Sequence, residues 1–264
     1  MKFTNMYGVQ SQSIIDALVN DDYDLSSKPG NVFSCTECID APKAKVLYRR
    51  HEEEITVDIS DNFHTMDGSA VHYVIEKSNK KSMAARLFEE RIYIDVTTWE
   101  AHTLNEKEKL INAPWYDLTH IYVSFKADNY EEAEECVEDY KRTSVYEAKS
   151  GLKDTRVKQL NINGLGFCLL GFPVKKLRAC LLLKDWSGAQ LKSEESTAAT
   201  KGWECKYPPI PYKEFLAPMW TYEECKAYIL ERVSLHLEAR KLSDEISLSV
   251  HRTRDGIPGK HLPS

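Results

Sequence analysis

The sequence has no hydrophobic run that approaches the ~20 residues needed to cross a bilayer. Its first residues, MKFTNMYGVQSQ, also lack the long apolar stretch of a secretory signal peptide. We therefore expect a protein with no membrane partner and a cytoplasmic location. Hydrophobic residues make up 42% and charged residues 29% of the chain, which excludes disordered and fibrous classes and favours a globular one.

The sequence also lacks a paired set of cysteines. Seven is an odd number, and the scattered positions argue against a disulfide framework. Cys35 and Cys38 have the CxxC spacing of metal or redox sites, but no second CxxC completes a zinc or iron–sulfur site. We expect reduced thiols and no iron–sulfur cluster.

An excess of positive charge is missing too. Lys and Arg number 35 against 41 Asp and Glu, and the net charge is −6. Proteins that bind nucleic acid through its phosphates are usually basic overall. The electrostatic field at a cleft depends on the charges near it and not on the net charge of the chain. The composition is therefore compatible with an enzyme whose site is built from carboxylates.

The length of 264 residues suits one large or two small domains, and we expect one domain with appendages. Residues 1–30 have few apolar clusters and predict a leader that is mobile or separately docked. The domain should cover 31–241, with a polar and proline-rich loop insertion near 187–219. Residues 242–264 have no apolar pattern and predict a loose tail.

Apolar periodicity predicts alternating helices and strands, hence an α/β fold. Helices are predicted over 64–78, 156–170 and from Thr221 to Lys241, and strands over 90–96, 120–125, 136–141 and 174–185. The strand over 136–141 should form a hairpin with the strand before it. Asp139 and Lys141 then share one face of a strand, Tyr140 points away, and Asp128 lies at the end of the preceding strand.

The two acids and the lysine suit phosphodiester hydrolysis. Mg²⁺ and related ions prefer oxygen ligands, usually one or two carboxylates together with water and substrate phosphate. Lys141 could orient the attacking water or neutralise charge on the phosphate. A solvated acidic turn followed by lysine is the alternative, because the pattern is common on protein surfaces.

Four segments in order carry a family resemblance: GSAVHYVIE (68–76), VSFKAD (123–128), DYKRTS (139–144) and RVKQLNI (156–162). Over roughly residues 32–236 the order resembles the PD-(D/E)XK nuclease superfamily, especially its RecB-type and phage-encoded exonuclease branches. Two departures stand out: Ala127 replaces the proline of the superfamily's name, and Asn163 stands where the helix motif has tyrosine.

The resemblance implies a restriction-endonuclease-like core, a small mixed β-sheet flanked by helices. It implies that the catalytic residues are Asp128, Asp139, Lys141 and Gln159, and that Mg²⁺ or Mn²⁺ is bound by His72, Asp128, Asp139 and the main-chain carbonyl of Tyr140. Glu76 and Glu90 are further metal-ligand candidates, although Glu76 could instead pair with Lys80 and Glu90 could pair on the surface.

The function implied is metal-dependent DNA hydrolysis by an exonuclease that processes DNA ends in phage recombination or replication. Its place would be the host cytoplasm, and a phage single-strand annealing protein is the implied partner. An endonuclease of the same superfamily and a non-catalytic nucleic-acid-binding protein remain alternatives, and the oligomeric state stays open. The candidate DNA contacts are Arg142, Thr143, Ser144, Lys153, Arg156 and Lys158, with a solvated helix start as the alternative for the last three.

Overall fold

The computed structural model describes residues 2–19, 29–78, 90–105 and 108–242, without the side chains of Glu76, Ser78 and Glu90. The strands are β1 Lys2–Thr4, β2 Val32–Ser34, β3 Thr56–Asp58, β4 Glu90–Asp95, β5 Glu100–Asn105, β6 Tyr122–Lys126, β7 Asn129–Glu131, β8 Cys136–Thr143, β9 Lys176–Leu183 and β10 Tyr212–Leu216. The helices are α1 Gln12–Val19, α2 Cys35–Ile39, α3 Pro42–Arg50, α4 Phe63–Ser78, α5 Val145–Ser150, α6 Asp154–Leu169, α7 Gly188–Lys201 and α8 Tyr222–Lys241. Within these ranges no helix is both long and apolar enough to span a bilayer.

The strands form two sheets of four and one of two. The β8 sheet has the order β10-β9-β8-β7, the β6 sheet has the order β2-β6-β4-β5, and β1 pairs with β3. Both larger sheets are mixed, because β8 is parallel to β9 and antiparallel to β7, while β6 is parallel to β2 and antiparallel to β4. The predicted α/β fold is confirmed, with its strands divided among several sheets where one small sheet was expected.

Helix α6 packs against both larger sheets and carries part of the site. Its side chains Leu160, Ile162 and Phe167 are fully buried in a core shared with Phe125 of the β6 sheet and Leu177 of the β8 sheet. Gly166 allows the close approach, because a Cβ atom there would lie 2.6 Å from Cζ of Phe125. Helix α6 is therefore a rigid platform for residues that project from its first two turns.

The predicted hairpin between the strand over 120–125 and the strand over 136–141 is wrong. Strand β8 pairs with the short β7 and with β9, whereas β6 lies in the other sheet between β2 and β4. Both edges of β6 are thus occupied, and Tyr122–Phe125 are buried on both faces, as in a central strand. The chain leaves the β6 sheet after Lys126 and joins the β8 sheet at Asn129.

The loop predicted near 187–219 is also wrong over much of its length. It contains α7 and β10, the latter antiparallel to β9 at the edge of the β8 sheet. Ala198 is the one buried residue of α7, so the helix has almost no apolar stripe to show in the sequence. Gly202 ends it in the left-handed conformation, with φ 69°.

The leader is docked over its described part. Strand β1 pairs with β3 in parallel, and Leu18 of α1 is buried, with its carbonyl accepting a hydrogen bond from Asn62. The predicted start of α8 is confirmed, because Thr221 and Glu224 form a capping box. Residues 20–28 of the leader and 243–264 of the predicted tail lie outside the described residues.

Candidate active site

The site lies where the chain crosses between the two larger sheets. Asp128 belongs to neither sheet, since it lies between the end of β6 and the start of β7. Its Oδ2 atom accepts a hydrogen bond of 2.8 Å from the main-chain N–H of Tyr140 on β8. The crossing therefore places the first acid against the strand that carries the second acid.

Asp139 and Lys141 project from the same face of β8, as the alternation of the strand predicted. The Lys141 Nζ atom lies 2.7 Å from Oδ1 of Asp139 and 3.8 Å from Oδ2 of Asp128, so one ammonium links the two carboxylates. Gln159 of α6 donates from Nε2 to the same Oδ1 of Asp139, at 3.0 Å. Lys141 and Gln159 thus fix Asp139 from the strand and from the helix.

His72 reaches the site from α4. Its Nδ1 atom lies 3.5 Å from Oδ1 of Asp128. Burial lowers the pKa of His72, and repulsion by Lys141 adds to this effect, against attraction by Asp139 and a hydrogen bond to the main chain of Tyr140. A lowered pKa favours the neutral imidazole, which is the form that binds a metal ion.

Asp128 and Lys141 both have shifted pKa values. Burial, with repulsion by Asp139, raises the pKa of Asp128 to about 7, although Lys141 and the Tyr140 N–H favour its ionised form. Burial acts to lower the pKa of Lys141, but attraction by Asp139 and Asp128 outweighs burial and repulsion by Arg156, so the pKa is raised. The lysine therefore remains an ammonium beside the two acids.

The donor set fits a hard divalent cation in its chemistry. Asp139 is buried, and its Oδ2 atom has no hydrogen-bond partner among the described residues, although a buried carboxylate oxygen needs one. A cation bound by both carboxylates would offset the repulsion between them. In the described ranges, however, no three His, Cys, Asp or Glu side chains are arranged as a ready metal-binding group. His72 lies beside Asp128, and Lys141 lies between Asp128 and Asp139, so the three groups are neighbours without forming one set of ligands.

The remaining metal-ligand candidates are only partly placed. The main chain of Tyr140 lies at the site, in contact with His72 and Asp128. Its phenol points away from the site, as predicted, and donates to Glu138 at 2.8 Å. The side chains of Glu76 and Glu90 lie outside the described residues.

The candidate DNA contacts do not form one basic rim. Arg142 pairs with Asp67 of α4 at 3.0 Å, and Ser144 caps α5. Lys158 pairs with Asp154 within α6. These side chains have partners in the protein, and helix geometry points Arg156 and Lys158 to different sides of α6.

Thr143, Lys153 and Arg156 instead converge on Glu147, a residue that sequence reasoning missed. Glu147 is buried at the start of α5, with its N–H bonded to the hydroxyl of Ser144. The spacing of Ser144 and Glu147 is that of a helix N-terminus, so it could have indicated the start of α5, although not the burial of Glu147.

The cysteine pair is buried beside the site. Burial raises the pKa of Cys35 and raises that of Cys38 to about 12, which favours unreactive thiols. The Cys35 thiol points at the main-chain carbonyl of Gln159, at 3.9 Å. Cys225 lies in the same core cluster as Cys35 and Cys38, whereas Cys205 packs against a separate cluster.

No protein-family model and no curated protein matches this chain. The chain is similar in fold to the protein SSO0001, whose crystal structure aligns with a TM-score of 0.52 over 90% of either chain. Sequence identity between the two is 12%, a level at which the likeness supports the fold alone.

Proposed function

We propose that this protein is a metal-dependent DNA nuclease that hydrolyses phosphodiester bonds with Mg²⁺ or Mn²⁺. The observation that carries the proposal is the cluster in which the Lys141 ammonium lies between the carboxylates of Asp128 and Asp139. Carboxylates beside a lysine are the groups needed to hold a hard cation and to stabilise negative charge on phosphate. The order of the motifs, similar to that of PD-(D/E)XK nucleases, supports the same assignment.

The residues of the site have separate roles in this proposal. Asp128, Asp139, His72 and the Tyr140 carbonyl would hold the ion, which when bound polarises the phosphodiester and lowers the pKa of water. Lys141 orients the attacking water and stabilises the charge that develops on the phosphate oxygens. Gln159 keeps Asp139 in position through its hydrogen bond.

The test is cleavage of end-labelled DNA in Mg²⁺, Mn²⁺ or EDTA by wild type, Asp139→Ala and Lys141→Ala. We expect cleavage by wild type in either metal, no cleavage in EDTA, and a loss of at least about 100-fold in both variants, as for removal of a group that stabilises transition-state charge. Asp40→Ala and Lys45→Ala are matched controls, because they break an exposed Asp–Lys pair of 3.0 Å.

Two results contradict the proposal. Equal activity of all variants would show that the site is elsewhere. DNA binding without cleavage in either metal would favour a non-catalytic nucleic-acid-binding protein.

We propose further that the enzyme is an exonuclease acting on DNA ends, with a phage single-strand annealing protein as its partner. This part rests on the resemblance to phage-encoded exonucleases. Linear and covalently closed circular DNA of the same sequence separate the alternatives. An exonuclease degrades the linear form and leaves the closed circle intact, whereas comparable cutting of both forms identifies an endonuclease.

A further inference from the structure

A buried carboxylate lies next to the proposed active site without being part of it. Glu147 accepts hydrogen bonds from Thr143 at 2.7 Å and Lys153 at 2.8 Å, both on Oε2, and from Nε of Arg156 at 2.7 Å on Oε1. Nη2 of Arg156 lies 2.6 Å from the same Oε1. Burial opposes ionisation of Glu147, but these donors lower its pKa to about 2. The carboxylate is thus a fixed anchor for two cations.

The anchor places Arg156 alongside the site. Along β8, Asp139, Lys141 and Thr143 lie on one face, and Lys141 is the middle residue. On α6, Arg156 and Gln159 are one turn apart and share a face. Gln159 bonds Asp139 at one end of this strip, and Arg156 reaches Glu147 beside Thr143 at the other. Lys141 lies between the two anchor points.

The charge of this cluster is not balanced within it. Lys153 and Arg156 contribute two positive charges against one negative charge on Glu147. Nε and Nη2 of Arg156 are bonded to Glu147, which leaves Nη1 outside the ion pair. The Arg156 side chain is 15% exposed and the Lys153 side chain is 59% exposed, so both cations keep some contact with solvent.

We propose that Arg156 binds the DNA phosphate next to the scissile phosphodiester, and that Glu147 is the positioning residue that holds its guanidinium there. The inference rests on the proposed nuclease function and names a contact within it. A guanidinium suits this role because two nitrogens can stay on the protein carboxylate while the third bonds a phosphate oxygen. Lys153 supplies a second, more mobile charge to the same strand.

The experiment removes the charge from one partner at a time. Single methylphosphonate linkages, which are neutral, are placed at each position around the cleavage site of a DNA substrate. We expect kcat/KM of wild type to fall about 10- to 100-fold at one position adjacent to the cut, the loss expected for one hydrogen bond to a charged group. Arg156→Gln should show a similar loss on unmodified DNA and no further loss when the neutral linkage is at that position.

Further variants separate positioning from folding. Arg156→Lys should recover part of the activity and of the sensitivity to the linkage, since it restores charge without the planar fork. Glu147→Gln should weaken the response to the linkage while thermal unfolding shows a folded protein. Lys149→Ala is the matched control, because it removes one positive charge and one ion pair of α5, with Glu194, without touching Glu147.

The outcomes distinguish this inference from the proposed function. Suppose that wild type cleaves DNA, but that each neutral linkage lowers the kcat/KM of Arg156→Gln by the same factor as it lowers that of wild type. Arg156 then does not contact a phosphate there, and the nuclease assignment stands. If Arg156→Gln does not fold, the folded Arg156→Lys variant decides instead. A lower kcat/KM together with the full wild-type response to every neutral linkage would likewise show that Arg156 does not contact a phosphate there. If wild type cleaves nothing in Mg²⁺ or Mn²⁺, both proposals are wrong.

Discussion

Gln159 and Lys141 donate to the same oxygen of Asp139, Oδ1, at 3.0 and 2.7 Å. The other oxygen, Oδ2, is buried and has no hydrogen-bond partner among the described residues. The two donors thus hold the Asp139 carboxylate through Oδ1 and leave Oδ2 without a donor in the part of the chain that the structure describes. In the proposed function, a divalent cation would supply the partner that this oxygen lacks there.

Replacing Gln159 should therefore lower activity by loosening Asp139. We expect Gln159→Leu, which keeps the size and loses the donor, to reduce kcat/KM for DNA by about 10-fold, because one hydrogen bond to a charged group is lost. The same substitution should lower the free energy of unfolding by about 1–3 kcal/mol. Gln190→Leu on α7 is the control, and equal activity of Gln159→Leu and wild type would contradict the role of Gln159.

Divalent metal should stabilise the folded protein independently of catalysis. A ligand at about 100 times its Kd adds about 2.7 kcal/mol to the free energy of unfolding, which raises Tm by roughly 5–10 °C in a domain of this size. We expect this shift for wild type titrated with Mg²⁺ or Mn²⁺ and its loss in Asp139→Asn. Asp40→Asn, on an exposed pair, should respond like wild type; an unchanged shift in Asp139→Asn would place the metal elsewhere.

The pair of His120 and Asp95 should make stability depend on pH. Their Nδ1 and Oδ2 atoms are 2.6 Å apart, and Asp95 is buried. The hydrogen bond to Asp95 raises the pKa of His120 from 6.5. Burial opposes ionisation of Asp95, but His120 and the N–H groups of Thr97 and Thr98 lower its pKa from 3.8.

The raised pKa of His120 and the lowered pKa of Asp95 determine how the stability from this pair changes with pH. The contribution of His120 is fully present below pH 6.5 and is lost as pH rises through the raised pKa, while that of Asp95 is lost as pH falls through its lowered pKa. Urea unfolding should then show a larger loss of stability for His120→Gln at about pH 5.5 than at about pH 8.5. A loss of the same size at both pH values would show that the pair does not carry this dependence.

Closing the gap at Gly166 should destabilise the core. A Cβ atom there would lie 2.6 and 2.7 Å from Cζ and Cε1 of Phe125, so Gly166→Ala should lower the free energy of unfolding by about 1–3 kcal/mol. Gly68→Ala in α4 meets no described atom within 4 Å and should instead gain about 0.5–1 kcal/mol from helix propensity. Chemical denaturation measures the free energy of unfolding of both variants. Equal changes in Gly166→Ala and Gly68→Ala would contradict the close packing of Gly166 against Phe125.

The sequence predicted the candidate site better than the sheet pairing. Alternation along β8 places Asp139 and Lys141 on one face whatever the strand pairs with, so that relationship could be read locally. Which strand lies beside β8 depends on the edges of β6 being occupied by β2 and β4, which are distant in sequence. Local patterns do not contain that information.

The elements that were missed have weak patterns for physical reasons. Helix α7 buries only Ala198 and packs a partly buried Leu191 against the core, and β5 is an edge strand with a mostly polar sequence. Glu147 was missed because its burial depends on donors later in the chain, namely Lys153 just before α6 and Arg156 in its first turn. The residue type alone does not show whether a glutamate is buried or solvated.

Asp128 lies at the crossing between the two larger sheets, and its carboxylate is tied to the Tyr140 N–H of the β8 sheet. Neither sheet alone contains both acids of the proposed site. The two carboxylates of the proposed centre would thus come together only in a chain in which both larger sheets have formed.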